Sequence, residues 1–321
     1  MKKTILVTGC AGFIGFHLSR ALLDKESSVV GIDNLNEYYD PKLKEDRLEI
    51  LKKEGKDNFK FYKIDLEDYN SLDKVFKESK IEQICHLGAQ AGVRYSLEKP
   101  FVYEKSNILG TLNLLELCRH NEIKSFIFAS SSSVYGTNKK IPFSESDITD
   151  NPISLYAATK KSTELMAHTY HNLFNINCTG LRFFTVYGPY GRPDMALFDF
   201  TKSIIEGKEI GLFNYGNMKR DFTYIDDIVS GILSALDKNY KFEIFNLGKS
   251  KPENLKYFVE CIENTTGVKA NVKLLPMQPG DVPETYADIS KAKKMLGFNP
   301  KTPLHEGVNN FVKWYKEYYK I

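Results

Sequence analysis

The sequence predicts an α/β fold in which a doubly wound parallel sheet is followed by a smaller C-terminal lobe. Short apolar runs alternate with longer helical patterns through the first 184 residues, and a glycine-rich turn joins the first run to the first helical pattern. The apolar runs are continuous, which is typical of parallel strands covered by helices on both faces. From residue 185 the alternation loosens into loops rich in proline and glycine.

In the first predicted domain, residues 1–184, strands and helices alternate along the chain. The predicted strands are TILVTG, SSVVGID, FKFYKID, QICHLGA, SFIFASS and INCTGLRFF, and the helices cover residues 13–24, 41–55, 68–79, 104–120 and 154–174. In the second domain, residues 185–321, we expect helices near 196–206, 226–237 and 253–266 and strands near 210–213 and 242–247. The segments near 226–247 are candidates for packing back on the first domain.

The composition argues against several classes of protein. Lys and Arg number 44 and Asp and Glu 41, so the net charge of +3 disfavours a nucleic-acid or membrane-surface partner. The five cysteines are scattered, without a CxxC pair or a histidine at ligand spacing. They predict reduced thiols in a cytoplasmic protein and no metal site. No apolar run approaches the ~20 residues of a membrane span, so we expect no membrane partner.

The first motif predicts a dinucleotide site. Gly9, Gly12 and Gly15 follow the first strand and open the first helix. Glycine there lets the backbone approach a pyrophosphate at the positive helix N-terminus. Asp33 ends the second strand, where a carboxylate can accept both ribose hydroxyls of NAD and would repel the 2′-phosphate of NADP. Asp65 ends the third strand, near the expected adenine edge, and fits a helix N-cap equally well. The alternative for the first motif is a tight strand–helix turn.

The second motif pairs a phenol with an ammonium group. Tyr156 and Lys160 are four residues apart in a strong helix former, so they lie on one helical face. A fixed cation and a bound nicotinamide cation favour the phenolate, which makes Tyr156 a candidate proton acceptor. The serine run 130–133 ends an apolar strand whose carboxyl end should face the ligand crevice. In isolation, the Tyr–Lys pair would be read as two surface side chains.

Together these motifs resemble the extended short-chain dehydrogenase/reductase family, and within it the sugar-nucleotide epimerases. The motifs in chain order are the GxxGxxG turn, Asp33, HLGAQAG, Asn107 in SNILGT, the serine run, Tyr156xxxLys160, LRFFTVYGP, RDFTYIDD and PGDVPETYADISKAKKMLGF. The resemblance implies a Rossmann-type domain that holds NAD and a C-terminal lobe that holds a nucleoside-diphosphate sugar. It also implies a homodimer built from the helices over 104–120 and 154–174, whose leucine-rich faces fit an intramolecular core equally well.

The site residues are assigned by position within these motifs. The expected catalytic residues are Tyr156, Lys160 and Ser131. The expected cofactor residues are Gly9, Gly12, Phe13, Ile14, Gly15, Asp33, Asn34, Asp65, Leu66, Leu87, Gly88, Ala89, Ala91, Asn107, Ser130, Tyr156, Lys160 and Phe183. The expected substrate residues are Arg94, Ser131, Ser132, Tyr156, Thr185, Arg192, Arg220, Gln278 and Asp281.

The resemblance also narrows the reaction and the sugar. Family members that eliminate water carry an Asp-Glu pair at the positions of Ser132 and Ser133, and UDP-glucuronate decarboxylases usually carry Glu at the second. Serines in both places favour an epimerase. The stretch VYGPYGRPDMALF resembles UDP-glucuronate 4-epimerases and implies that Arg192 binds the C6 carboxylate of the sugar, with Thr185 and Arg94 as further candidates. A guanidinium–carboxylate pair suits that recognition.

The nucleotide end of the substrate has candidates of its own. Arg220 matches a phosphate-binding position and Asp281 a ribose-binding position, whereas Gln278 stands where UDP-glucose 4-epimerases commonly place an arginine. For Arg220 a surface salt bridge is the alternative, and for Arg94 and Arg192 it is the pinning of a loop to backbone carbonyls. The sequence therefore predicts conversion of UDP-glucuronate to UDP-galacturonate. It leaves open a UDP-glucose or UDP-N-acetylglucosamine epimerase, a decarboxylase, and an inactive NAD-binding regulator.

Overall fold

The computed structural model of the protein describes residues 3–277 and 283–321. Its strands are β1 (Thr4–Thr8), β2 (Ser28–Asp33), β3 (Phe59–Lys63), β4 (Gln83–His86), β5 (Ser125–Ser131), β6 (Asn177–Phe183), β7 (Thr185–Tyr187), β8 (Glu209–Leu212), β9 (Lys219–Tyr224), β10 (Phe242–Leu247), β11 (Pro252–Asn254), β12 (Asn271–Leu274) and β13 (Glu284–Thr285). Its α-helices are α1 (Phe13–Asp24), α2 (Pro41–Gly55), α3 (Tyr69–Glu78), α4 (Tyr95–Glu98), α5 (Pro100–Tyr103), α6 (Gly110–His120), α7 (Leu155–Phe174), α8 (Ala196–Ile205), α9 (Ile225–Lys238), α10 (Leu255–Thr266), α11 (Ser290–Leu296) and α12 (Leu304–Tyr319).

Seven parallel strands form the main sheet, in the order β10–β6–β5–β4–β1–β2–β3. The chain runs outward from β1 to β3 and then returns to β4 on the other side of β1, which makes the sheet doubly wound. The six strands predicted in the first 184 residues all lie in this sheet, and the predicted α/β class is confirmed. Strand β10 supplies the seventh strand, and α9 packs against α1.

Side chains on β5 show how both faces of the sheet are buried. Phe126 and Phe128 belong to the core beneath α3, α6 and α7. Ile127 belongs to the opposite core, beneath α1, α2 and α9. All three side chains are fully buried. Two buried faces require apolar residues at successive positions, which explains the continuous apolar run in the sequence.

Two helices differ from their predicted form in the first turn. The stretch predicted as one helix over 104–120 begins with a π-helical segment, Glu104–Leu109, that continues into α6. There the side chain of Asn107 bonds to Gln90 instead of facing solvent. The helix predicted from residue 253 begins at Leu255, because the Asn254 side chain caps its N-terminus by accepting from the amide of Lys256 at 2.8 Å.

The C-terminal lobe consists of small sheets covered by helices. Strand β9 pairs with β7, β11 and β13, and β8 pairs with β12. The aromatic rings of α8 and α12 pack together; the ring centres of Phe198 and Phe311 are 5.9 Å apart. Tyr190 packs against Trp314 of the same cluster at 4.8 Å. In the described ranges, no helix has both the length and the apolar character needed to span a membrane.

A buried ion pair fixes α7 to the main sheet. Arg182 on β6 donates two hydrogen bonds to Glu164 on α7, from Nε to Oε1 at 2.8 Å and from Nη2 to Oε2 at 2.9 Å. Its Nη1 donates to the hydroxyl of Tyr135 at 3.0 Å, and the hydroxyl of Ser130 on β5 donates to Glu164 at 2.6 Å. Both charged side chains are about 95% buried. Removing either charge would leave the other buried and uncompensated.

We predict that Glu164→Leu and Arg182→Met each lower the free energy of unfolding by ~3–5 kcal/mol, because each leaves one buried charge without its partner. The double variant removes both charges and should be less destabilised than the sum of the two single variants. Urea denaturation followed by circular dichroism measures all three values.

The exposed pair Arg20–Glu54 is the matched control, since its side chains are 40% and 36% exposed. Glu54→Gln should change the free energy of unfolding by less than ~1 kcal/mol. Single core variants that cost no more than this surface change would contradict the anchoring role of the buried pair.

Candidate active site

A large cleft opens at the carboxyl ends of the parallel strands, between the main sheet and the C-terminal lobe. Its volume is about 1120 Å³. Pockets for one drug-sized ligand measure roughly 300–1,000 Å³, so this cleft can hold more than one such molecule. The sequence-predicted residues on its wall are Gly9, Gly12, Phe13, Ile14, Gly15, Asp33, Asn34, Leu66, Leu87, Gly88, Ala89, Ala91, Arg94, Ser130, Ser131, Ser132, Tyr156, Lys160, Phe183, Thr185, Arg192 and Arg220.

Of the predicted site residues, two do not line the cleft wall and two fall outside the residues that the structure describes. Asp65 lies outside the cleft wall and accepts a hydrogen bond from Asn34 at 2.5 Å. Asn107 is also outside it: its side chain bonds the backbone of Gln90 and the hydroxyl of Thr159. It therefore fixes the loop after β4 from the side that faces away from the cleft. Gln278 and Asp281 fall outside the described residues.

The glycine turn has no room for side chains at Gly9 and Gly15, so a ligand can approach its backbone closely. A Cβ on Gly15 would lie 2.0 Å from the carbonyl oxygen of Gly9, and one on Gly9 would lie 2.8 Å from the backbone of Gly88. Gly9 also has a φ of +69°, which favours glycine. Helix α1 begins at Phe13, and its N-cap, Gly12, provides no side-chain cap. The first amides of the helix are therefore available to an anion.

Asp33 is positioned for the ribose end of a dinucleotide. One carboxylate oxygen accepts from the amide of Ala11 at 3.2 Å and the other from the amide of Leu35 at 2.9 Å. Burial raises the pKa of Asp33, and these amide hydrogen bonds oppose that effect. The glycine cradle, the uncapped helix and this carboxylate fit the pyrophosphate and ribose of NAD. We therefore identify this half of the cleft as the candidate cofactor site.

Tyr156 and Ser131 meet at the centre of the cleft. The hydroxyl of Ser131 lies close enough to the phenol to lower the pKa of Tyr156. The positive charge of Arg192 lowers it further, but burial dominates and leaves the pKa above its usual value. Ser131 ends β5 and is held by its neighbour: it accepts from the amide of Ser133 at 3.2 Å. These contacts place a hydroxyl and a cation beside the phenol.

Lys160 lies one turn after Tyr156 on α7, and its side chain is buried. Its Nζ donates to the carbonyl oxygen of Ala129 at 2.9 Å, which ties α7 to β5. Burial lowers the pKa of Lys160 to about 8. Ser130, predicted to contact the cofactor, lines the cleft but uses its hydroxyl to bond Glu164.

The sugar-binding candidates occupy the other half of the cleft. Arg192 is paired with Asp194 and lies over the ring of Tyr38, 5.8 Å from its centre. Arg94 lies over the ring of Phe213 at 5.5 Å. Arg220 donates from Nη1 to the carbonyl oxygens of Lys219 at 2.9 Å and Pro283 at 3.3 Å. Thr185 begins β7 next to these groups on the cleft wall.

Sequence reasoning missed residues that hold the Arg192 loop in place. Arg47 on α2 is fully buried; its Nη1 donates to the carbonyl oxygen of Ala11 at 2.8 Å and its Nη2 to that of Tyr190 at 2.6 Å. His17 on α1 donates to the carbonyl oxygen of Pro189 at 2.9 Å. Burial lowers the pKa of His17 to about 4, so this ring is neutral at pH 7. Their partners are distant in sequence, and no local pattern marks them.

Across the two described stretches of the chain, no group of three or more His, Cys, Asp or Glu side chains is arranged to hold a metal ion. The cleft wall instead offers tyrosine, serine and threonine hydroxyls and five cationic side chains, Lys44, Lys160, Arg94, Arg192 and Arg220. Such a set can bind phosphates and carboxylates and can move a proton.

Comparison with known proteins identifies the family. The family model of GDP-mannose 4,6 dehydratase matches residues 6–311. An uncharacterised protein of Methanocaldococcus jannaschii is 59% identical over 317 residues, which cover 98% of this chain and 97% of that protein. UDP-glucuronate 4-epimerase 4 of Arabidopsis thaliana is 49% identical over 334 residues, covering 98% of this chain and 76% of that protein.

A solved structure agrees with these matches. UDP-glucuronic acid 4-epimerase of Bacillus cereus, in complex with UDP-glucuronic acid and NAD, is 39% identical and superposes with a TM-score of 0.92, covering 98% of this chain and all of that one. Its cofactor is the one that the glycine cradle and Asp33 fit here. The chain belongs to the NAD-dependent epimerase/dehydratase family, the extended short-chain dehydrogenases/reductases.

Proposed function

We propose that the protein is an NAD-dependent 4-epimerase that interconverts UDP-glucuronate and UDP-galacturonate. The observation that carries this proposal is Arg192, a guanidinium on the wall of the same cleft as Tyr156. A uronic acid differs from its neutral hexose by one carboxylate at C6, and a guanidinium close to the reacting phenol suits that group. The names of the Arabidopsis and Bacillus relatives support the same substrate.

The reaction begins with proton removal from the 4-hydroxyl of the sugar. Tyr156, as the phenolate, takes that proton, and the Ser131 hydroxyl bridges the phenol and the sugar oxygen. NAD, when bound, accepts the hydride from C4 and later returns it. Lys160, one turn further along α7, supplies a positive charge on the same helical face. The 4-keto sugar then rotates about its diphosphate linkage, and Tyr156 returns the proton as C4 is reduced on its opposite face.

The serines beside Ser131 support epimerisation over elimination. Ser132 and Ser133 line the cleft at the end of β5, where an acid would be needed to remove water or to assist loss of CO2. Hydroxyls at these positions can bind a sugar or a carboxylate, but they are poor acids and bases near neutral pH. The cleft volume of about 1120 Å³ also supports a mechanism that needs two sugar poses. The five cysteines are free and buried, which supports the proposed cytoplasmic location.

We also propose the homodimer that the resemblance implies, built from the helices over 104–120 and 154–174, with the adjoining α5 included in the interface. Apolar side chains stand exposed there: Phe101 is 78% exposed, Leu165 57% and Leu173 65%. They lie on adjacent helices, because α5 packs against α7. Exposed apolar side chains on neighbouring helices are typical of protein interfaces. The dimer would leave the cleft open, since none of these side chains lies on its wall.

The first prediction of this proposal concerns the substrate. Purified protein incubated with UDP-glucuronate, without added NAD, should form UDP-galacturonate, because the cofactor is expected to stay bound through the cycle. Proton NMR follows the sugar signals, and heat denaturation of the same sample should release NAD into solution. Turnover of UDP-glucose but not of UDP-glucuronate would contradict the proposed carboxylate recognition, and UDP-xylose with CO2 would identify a decarboxylase instead.

The second prediction concerns Tyr156 and its pH dependence. Tyr156→Phe should lower kcat by at least ~100-fold, the smaller end of the usual contribution of general acid–base catalysis. Ser131→Ala removes the hydroxyl that lowers the pKa of Tyr156. The pKa of the phenol should therefore rise, and the acidic limb of the kcat/KM profile should move to higher pH.

Tyr240→Phe is the matched control, since Tyr240 loses one hydroxyl bonded to the carbonyl oxygen of Met295, away from the cleft. Its kcat and pH profile should equal those of the unaltered protein. An unshifted acidic limb in Ser131→Ala would show that Ser131 does not tune the phenol.

The third prediction concerns the dimer. Leu165→Asp should convert the protein to a monomer, because a charge at the centre of an apolar interface is costly to bury. Size-exclusion chromatography with light scattering measures the mass. Leu274→Asp is the control, because Leu274 is 51% exposed on β12 of the other lobe and should leave the mass unchanged. A monomeric unaltered protein would overturn the dimer proposal alone.

A further inference from the structure

Asp194 bonds only one edge of the Arg192 guanidinium. Asp194 accepts from Nε through Oδ1 at 3.0 Å and from Nη2 through Oδ2, so it occupies the Nε–Nη2 edge. Arginine has five N–H donors, and two parallel bonds to a carboxylate consume one edge of the fork. Among residues 3–277 and 283–321, the hydrogen bonds of Arg192 run from Nε and Nη2, and Tyr38 also lies against the guanidinium. The Nη1–Nη2 edge therefore remains for a second carboxylate.

The pair is built into a single tight turn. The amide of Met195 donates to the carbonyl oxygen of Arg192 at 3.1 Å, which closes a four-residue turn with Pro193 at its second position. Proline fixes the backbone angle there and restricts the turn. Arg192 and Asp194 are thus held close by the backbone, and little conformational entropy is lost when their side chains pair. The pairing belongs to the loop and does not require a ligand.

A residue from the other side of the cleft holds Asp194 in turn. The hydroxyl of Tyr38 donates to Asp194 Oδ2 at 3.0 Å, from the loop between β2 and α2. The ring of Tyr38 is itself packed: its centre lies 4.8 Å from that of Tyr95, and a Cβ on Gly92 would come within 2.5 Å of its hydroxyl. Tyr38 therefore has little freedom to follow Asp194 if the carboxylate turns away.

We propose that Asp194 and Tyr38 are positioning residues that direct the open edge of Arg192 toward the C6 carboxylate of the substrate. The assignment rests on the proposed function. Asp194 sets the rotation of the guanidinium by taking one edge, and Tyr38 sets the place of Asp194. The sugar carboxylate then takes the second edge, so one arginine serves two carboxylates at once. Neither residue has to touch the substrate.

An alternative is that Asp194 competes with the substrate for Arg192, and this alternative predicts the opposite effect of removing Asp194. If Asp194 merely occupied Arg192 until a uronate displaced it, its removal would free the arginine and strengthen binding. The charges around the pair favour the positioning role. Arg192 lowers the pKa of Asp194, so the carboxylate stays ionised. A second cation, Lys44, lies close enough that the charge of Arg192 contributes to lowering its pKa. These cations offset the second negative charge that a uronate brings.

Isothermal titration calorimetry with UDP-glucuronate and with UDP tests the proposal. Asp194→Ala should raise the Kd of UDP-glucuronate by about tenfold, equivalent to ~1.4 kcal/mol, because the guanidinium loses its orientation. Asp194→Asn keeps one acceptor, and Tyr38→Phe keeps the carboxylate, so both should raise it by a smaller factor. The Kd of UDP, which has no sugar, should stay within about twofold in every variant.

Asp199→Asn is the matched control, because Asp199 lines the same cleft without pairing to Arg192. It removes a nearby negative charge and should leave the Kd of UDP-glucuronate equal or slightly lower. Retained NAD and an unchanged melting temperature verify that each variant is folded.

The possible failures are distinguishable. Unaltered or tighter binding of UDP-glucuronate by Asp194→Ala, in a protein that still epimerises it, would overturn the positioning role and leave the proposed function intact. An unaltered protein that converts UDP-glucose but neither binds nor converts UDP-glucuronate would overturn the proposed function and this assignment with it. A parallel rise in the Kd of UDP would show a general loss of site structure and would also overturn the assignment.

Discussion

The ion pair between Arg182 and Glu164 is the interaction on which the geometry of the active site depends. It joins β6 to α7 inside the protein, where an unpaired charge would be costly, so the helix has one stable position on the sheet. Glu164, Lys160 and Tyr156 follow one another at intervals of four and share one face of α7. Once Glu164 is fixed on β6 and Lys160 on β5, the phenol of Tyr156 has a fixed height above the strand that ends in Ser131.

Parallel strand order explains why the chemistry collects at one edge. All seven strands of the main sheet run in the same direction, so their carboxyl ends meet on one side. Asp33 ends β2 and Ser131 ends β5, with β1 and β4 between them. Because the chain reverses its direction of winding beside β1, the helices diverge there and leave a crevice. The cofactor motif and the catalytic serine, about a hundred residues apart in sequence, are thus brought to a common cleft.

The sequence predicted what depends on local pattern. Continuous apolar runs identified the buried strands, and the glycine spacing with Asp33 identified the candidate dinucleotide site, because these signals need no knowledge of tertiary partners. The roles of Arg47, Tyr38 and Ser130 were not predictable in the same way. Arg47 and Tyr38 act on residues 143 and 156 positions away. The place of Ser130 in the serine run predicts a cofactor contact, but it gives no sign of the bond from its hydroxyl to Glu164 on α7.

Arg47 links the two halves of the cleft. One nitrogen of its guanidinium bonds the backbone within the glycine turn, and the other bonds the backbone of the loop that carries Arg192. Its side chain is fully buried, so water cannot replace either partner, and losing one bond would leave a buried charge poorly satisfied. A shift of the glycine turn must therefore either move the sugar-binding loop or break a bond to a buried cation. The spacing between the candidate cofactor site and the carboxylate-binding arginine is consequently a property of the folded chain, established before any ligand enters.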